Sequence, residues 1–136
     1  MECQKLLLRH TLVGKQKLPT FHGRSKVNHT KLYSYQRMVL MMKALQGRMP
    51  KWTAGHAEIK DQMERAMISS ILNLVEGNGR RTSKDRQCFF TRSTSSLCEV
   101  HACLDIIKIY KAEHQTEIDS LQHELEIIYR MVRRLP

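Results

Sequence analysis

The stretch "NLVEGNGRRTSKDR", residues 73–86, decides how the chain is read. Upstream of it, Ile59, Met63, Ala66, Ser70 and Leu74 recur at helical spacing, with Glu58 and Asp61 near the start, where a helix dipole favours acids. Downstream, Phe89, Ser93, Ser96, Val100, Leu104 and Ile107 mark a second helical seam, with Lys108 and Lys111 near its end. Between the two, Gly77 is expected to end the first helix in a left-handed conformation, and Asn78 and Gly79 tolerate positive φ. Thr82 or Ser83 can then cap the next helix, with Asp85 in its first turn. The stretch therefore joins two helices by a tight turn.

Outward from this joint, the clearest periodicity lies at the C-terminal end, where Ile118, Leu121, Leu125, Ile128, Val132 and Leu135 alternate spacings of three and four. Thr116 with Asp119 reads as a capping-box-like start. Toward the N-terminus, Leu32, Tyr35, Val39 and Met42 predict a helix over residues 30–46, ended by Gly47 with Pro50 beyond. No run alternates polar and apolar residues long enough to argue a strand. Four helices with short connections predict an all-α fold, an antiparallel up-down-up-down four-helix bundle over residues 28–136. Residues 1–27, broken by Gly14, Pro19 and Gly23, read as a basic, mostly irregular arm.

The chain has 136 residues, 41% of them hydrophobic and 26% charged, and this is the balance of a globular domain. No apolar run approaches the roughly 20 residues that span a bilayer, so no membrane role is expected. Arg9 and His10 interrupt "KLLL" too early for a secretory signal, and the four cysteines (3, 88, 98, 103) form no compact framework; reduced thiols in a cytoplasm are expected. The formal net charge is +10, of which +6 falls in residues 1–31, a distribution that suits a polyanionic partner.

Helices two and three carry more apolar residues than one seam uses: Met67, Ile68 and Ile71 on one, Phe90, Leu97 and Cys103 on the other. Met38, Met41 and Met42 add flexible apolar surface on helix one. A second buried face in a homo-oligomer is the expectation.

The turn itself is basic. Arg80, Arg81, Lys84, Arg86 and Arg92 outweigh Glu76 and Asp85, beside a helix N-terminus whose free N–H groups receive anions. A P-loop needs Gly-Lys-Ser/Thr after a strand and is excluded. A phosphate-binding edge for RNA or DNA is the functional reading, with Lys15, Lys17, Arg24 and Lys26 of the arm behind it. Arg65, Asn73, Glu76 and Glu99 read as a structural polar network, because they lie on or beside apolar helix faces and lack a histidine or metal partner for acid–base work. In "CEVHAC", residues 98–103, Cys98 and His101 are one turn apart but Cys103 projects elsewhere, so no zinc site is expected. No catalytic residue, metal or cofactor is expected, and a helical module that binds only proteins is the rival reading.

The segment "QMERAMISSILNLVEGNGRRTSKDRQCFF…SLCEV" resembles the four-helix-bundle proteins encoded in intervening sequences of bacterial large-subunit ribosomal RNA genes. It is similar, too, to their relatives, the accessory proteins of diversity-generating retroelements. Gln62, Arg65, Ala66, Ser69, Asn73, Glu76, Gly77, Gly79, Arg80, Ser83, Ser96, Leu97 and Glu99 carry the resemblance, which covers about residues 30–130. It implies a homopentamer and, for the retroelement branch, binding to a reverse transcriptase and its template RNA. Applied to a ribosomal intervening sequence alone, it leaves a protein-interaction bundle with no direct nucleic-acid role.

Overall fold

The computed structural model describes residues 28–136. After a 3₁₀ turn at Asn28–Lys31 come four helices: α1 (Tyr33–Trp52), α2 (Ala57–Gly79), α3 (Ser83–Tyr110) and α4 (Gln115–Arg133). A second 3₁₀ turn, Ala112–His114, leads into α4, and no strand occurs among the described residues. The basic arm expected over residues 1–27 lies outside the described residues.

The helices form a bundle in which α2 packs along α3, α3 against α4, and α1 against both α2 and α4. Met38, Met41, Leu45, Met63, Met67, Leu104, Leu121 and Ile128 are among the side chains shut off from solvent at its centre. Each contributes roughly 1.5–3 kcal/mol relative to exposure. The α4 seam lies where its periodicity places it, with Ile118, Leu121, Leu125, Ile128 and Val132 all buried. No helix among the described residues is long and apolar enough to cross a membrane.

Three local expectations are corrected. Helix α1 does not stop at residue 46 but runs through Gly47 and Pro50 to Trp52. Pro50 has no N–H for the Gln46 carbonyl, yet both residues face solvent, where water can serve that carbonyl. Burial of Met49 and Trp52 holds the last turn in register, and Thr53 Oγ1 donates to the Met49 carbonyl at 2.7 Å. The core face of α1 is also rotated from the expected stripe: Leu32, Tyr35, Val39 and Met42 are half-buried, while Ser34, Arg37, Met38, Met41 and Leu45 point inward. Thr116 does not cap α4, which begins one residue earlier behind His114, with no side-chain cap bond.

The apolar surplus is mostly absorbed by one chain. Met38, Met41, Met67, Phe90, Leu97 and Cys103 are core residues, and Met42 and Ile71 are half-buried against it. Ile68 is left outside, joined by Leu72 on the same helix.

Candidate nucleic-acid interface

The candidate site lies at the α2–α3 turn. Gly77 is not the left-handed helix terminator that was expected; Gly55, in the α1–α2 turn, is the positive-φ residue among those described. Gly77 is needed for closeness instead. A Cβ there would lie 2.7 and 2.8 Å from the Phe90 ring, so only glycine lets the first turns of α3 close against the last turns of α2. Helix α2 continues to Gly79, and Arg80 leaves it in an extended conformation while its N–H donates to the Gly77 carbonyl at 3.2 Å. Thr82, rather than Ser83, caps α3: its Oγ1 accepts from the Asp85 N–H at 3.1 Å and donates to the Asp85 carboxylate at 2.7 Å.

This geometry places the two adjacent phenylalanines among the arginines. The guanidinium groups of Arg80 and Arg92 both lie over the Phe89 ring, 4.6 and 5.2 Å from its centroid, and that of Arg86 lies 5.7 Å from the Phe90 centroid. Arg80 also pairs with Glu76 one turn back. Arg86 is half-buried, and its Nε has no hydrogen-bond partner. Arg81, Lys84 and Arg92 are exposed and make no ion pair among the described residues. The five cations therefore share one end of the bundle. Lys15, Lys17, Arg24 and Lys26 lie outside the described residues.

The four polar residues on α2 and α3 divide into three contacts. Arg65 donates to Gln62 and Gln62 donates to Glu99, each at 2.9 Å, which links the first and last through an amide. Asn73 instead donates to the Ser69 carbonyl at 2.8 Å, and Glu76 turns to Arg80. Both carboxylates are exposed. The interior of this seam is made by serines: Ser93 Oγ donates to the Ser70 carbonyl at 2.8 Å, and the Ser69 and Ser96 hydroxyls meet at 3.0 Å.

One charged feature was missed by sequence reading. Arg37 and Glu124 form an ion pair inside the bundle, with Arg37 Nε and Nη2 both donating to Glu124 Oε1. Burial works against the Arg37 charge, but the hydrogen bonds and charge of Glu124 prevail and hold its pKa above the ordinary value. Glu124 Oε2 and the Ser34 hydroxyl are buried there without a hydrogen-bond partner. Only half of the signal was available: Glu124 sits between the periodic Leu121 and Leu125, whereas the core positions Ser34 and Met38 that flank Arg37 lie off the expected α1 stripe.

Among the described residues no group of three His, Cys, Asp or Glu side chains could hold a metal. Cys98 is exposed and Cys103 buried. Burial, reinforced by the charge of Glu99, pushes the Cys103 thiol up, away from the thiolate form that acts as nucleophile or ligand. His101 is occupied with Gln122 and Asp105.

Residues 32–134, which include all four helices, match a family model described as 23S rRNA-intervening sequence protein. No curated protein and no solved structure matches the chain.

Proposed function

We propose that this chain, which belongs to the 23S rRNA-intervening sequence protein family, is a non-catalytic RNA-binding protein whose contact surface is the cationic end at the α2–α3 turn. The observation that carries this reading is Phe89 beneath Arg80 and Arg92. A ring attracts a guanidinium without neutralising it, so the forks are ordered before a phosphate arrives and less side-chain entropy is lost on binding. Arg81 and Lys84 add charge that no acid offsets among the described residues, and a family description that names a ribosomal RNA is in keeping with such a ligand.

The reading takes the helices as running alternately up and down. Contacts of α2 with α3 support this, because Gln62, Ser70 and Gly77 meet Glu99, Ser93 and Phe90, with numbers rising on one helix as they fall on the other. Its narrower form is an accessory to a retroelement reverse transcriptase. A reverse-transcriptase gene beside the coding sequence would support that form, and an rRNA operon would support the intervening-sequence form.

The test is the quadruple replacement Arg80→Ala, Arg81→Ala, Lys84→Ala, Arg86→Ala, assayed by RNA fluorescence anisotropy across a salt series. Affinity is expected to fall, and the slope of log affinity against log salt to flatten by about 3, since each lost phosphate contact removes roughly 0.7–0.9. A folded variant whose affinity and slope match the parent's overturns the assignment.

A further inference from the structure

The last turns of α4 bring a second set of cations toward the cationic end. As numbers rise along α4, those of its partners on α3 fall: Asp119 accepts from Lys108, Gln122 meets His101, and Leu125 shares a groove with Leu97. The partners on α1 follow the same order, with Glu117 on Arg48 and Glu124 on Arg37. Carried on to the end of α4, this order sets Arg130, Arg133 and Arg134 alongside the part of α3 that precedes Leu97 and holds Arg86 and Arg92. All three are exposed, and none forms an ion pair among the described residues. The C-terminal dipole of α4 favours cations there, but it amounts to only about half a charge against three.

Between α3 and α4, beside these arginines, lies an open groove of about 360 Å³, near the lower end of the roughly 300–1,000 Å³ that small-ligand sites span. Leu97, Leu125 and Tyr129 line it with apolar surface, and His101, Glu126 and Arg130 add donors and acceptors. Along α3 it lies about 7.5 Å from Arg92, five residues at 1.5 Å each. Arg130 Nε donates to the Glu126 carbonyl at 3.3 Å, which orients the side chain and leaves its terminal N–H groups for a ligand. An aromatic ring and aliphatic side chains bordered by unneutralised cations form the combination that receives a base together with its neighbouring phosphates. The Glu126 carboxylate accepts N–H groups of a base but repels a phosphate, so the phosphates belong outside the groove, on the arginines. A base paired and stacked inside a duplex cannot enter.

We infer that the α3–α4 groove holds an unpaired base of the bound RNA while Arg130, Arg133 and Arg134 hold the phosphates beside it. The ligand class is therefore RNA with a single-stranded loop or end, not continuous duplex. This rests on the RNA-binding reading and narrows it, because phosphate contacts at the cationic end carry no information about the bases.

Fluorescence anisotropy tests it with the full chain and three RNAs of equal length: a stem-loop, the same stem-loop with abasic loop positions, and a continuous duplex. The parent is expected to bind the stem-loop about tenfold more tightly than either of the others, the worth of one stacked base. Tyr129→Leu should abolish that preference and Tyr129→Phe should keep it. Arg133→Ala with Arg134→Ala should flatten the salt slope for the stem-loop by about 1.5. The abasic comparison needs only the parent protein, and so decides the matter even if Tyr129→Leu does not fold. Equal affinity of the parent for the stem-loop and either of the other RNAs overturns the inference, as does an unchanged salt slope in the arginine variant. A folded Tyr129→Leu with its preference intact overturns it too, and a native mass below the parent's would then give the groove to a second copy of the chain. Replacing Arg80, Arg81, Lys84 and Arg86 lowers affinity for all three RNAs, whereas loss of the groove changes the preference among them, so the two readings fail separately. A parent that binds none of the three removes both.

Discussion

Arg37 and Arg92 are the same side chain in opposite settings. Arg37 is inside the bundle, 2% exposed, and its charge is consumed by Glu124. Arg92 is at the surface, and its neighbour is the Phe89 ring instead of an acid. A carboxylate cancels the cation it positions, and in the core this is required because an unmatched buried charge is costly. A phenyl ring positions the cation and leaves its field available to solvent and ligands. Arg80 stands between the two cases, since it lies over Phe89 and also pairs with Glu76. Comparing these arginines separates charge that holds the bundle together from charge that can act outside it.

The comparison is broken most severely at the buried pair. Glu124→Ala leaves Arg37 charged and unmatched in the core and is expected to cost about 3–5 kcal/mol, read from denaturant unfolding. Arg37→Met with Glu124→Leu removes both charges at similar volume and should recover most of that loss. If Glu124→Ala is nearly neutral, the core pair is as dispensable as a surface one and the contrast fails.

A smaller effect is expected at the cationic end. Gly77→Ala puts a methyl group into the Phe90 ring, and overpacking of this kind costs about 1–3 kcal/mol. The ring cannot move without its neighbours, so Arg86 over Phe90 and the Arg80 and Arg92 pair over Phe89 should shift with it. RNA affinity should fall even though no charge has been removed. Anisotropy with the folded variant checks this, and unchanged affinity would show that the aromatic support does not position the arginines.

The parts of this arrangement that could be read in the sequence are those fixed by local periodicity. The α4 seam and the α2 stripe of Ile59, Met63, Ala66, Ser70 and Leu74 each repeat often enough for one phase to prevail, and their residues are buried as expected except for Ile59 and Leu135 at the ends, which are half-buried. The clustering of Arg80, Arg81, Lys84, Arg86 and Arg92 follows from their adjacency on either side of one turn. Helix α1 was harder, because tertiary contacts override its local signals: buried Met49 and Trp52 carry the helix past Gly47 and Pro50. The role of Gly77 was misread for a similar reason, since glycine marks both left-handed backbone and close approach, and only the position of Phe90 distinguishes them. Arg37 with Glu124 needs knowledge of which helices face each other across 87 positions of sequence.

The smallest effect sharpens the contrast on a third cluster, where charges are paired but wet. Asp105 on α3 accepts from Gln122 of α4 at 2.8 Å and pairs with Lys108, which also donates to Asp119 of α4 at 3.0 Å. The Asp105 carboxyl is held below its ordinary range, first by the Gln122 hydrogen bond and then, against the opposing effect of burial, by Lys108 and the nearby His101. A depressed carboxyl pKa means that folding favours the ionised form. The stabilisation is therefore present above the unfolded value of about 3.9 and is lost as pH falls through the folded value. Asp105 is exposed, so the amount is screened to below about 1 kcal/mol. Lys108 behaves in the opposite sense, because its pKa is raised, chiefly by Asp119, and its contribution fades only as alkaline pH passes that raised value. Asp105→Asn should thus be slightly less stable than the parent at pH 7, and the two unfolding curves should converge in acid, once the pH has fallen below the depressed folded value. A gap that persists at that acidity would mean that Asp105 acts through its shape and hydrogen bonding alone, and that its charge belongs with neither the buried nor the exposed arginines.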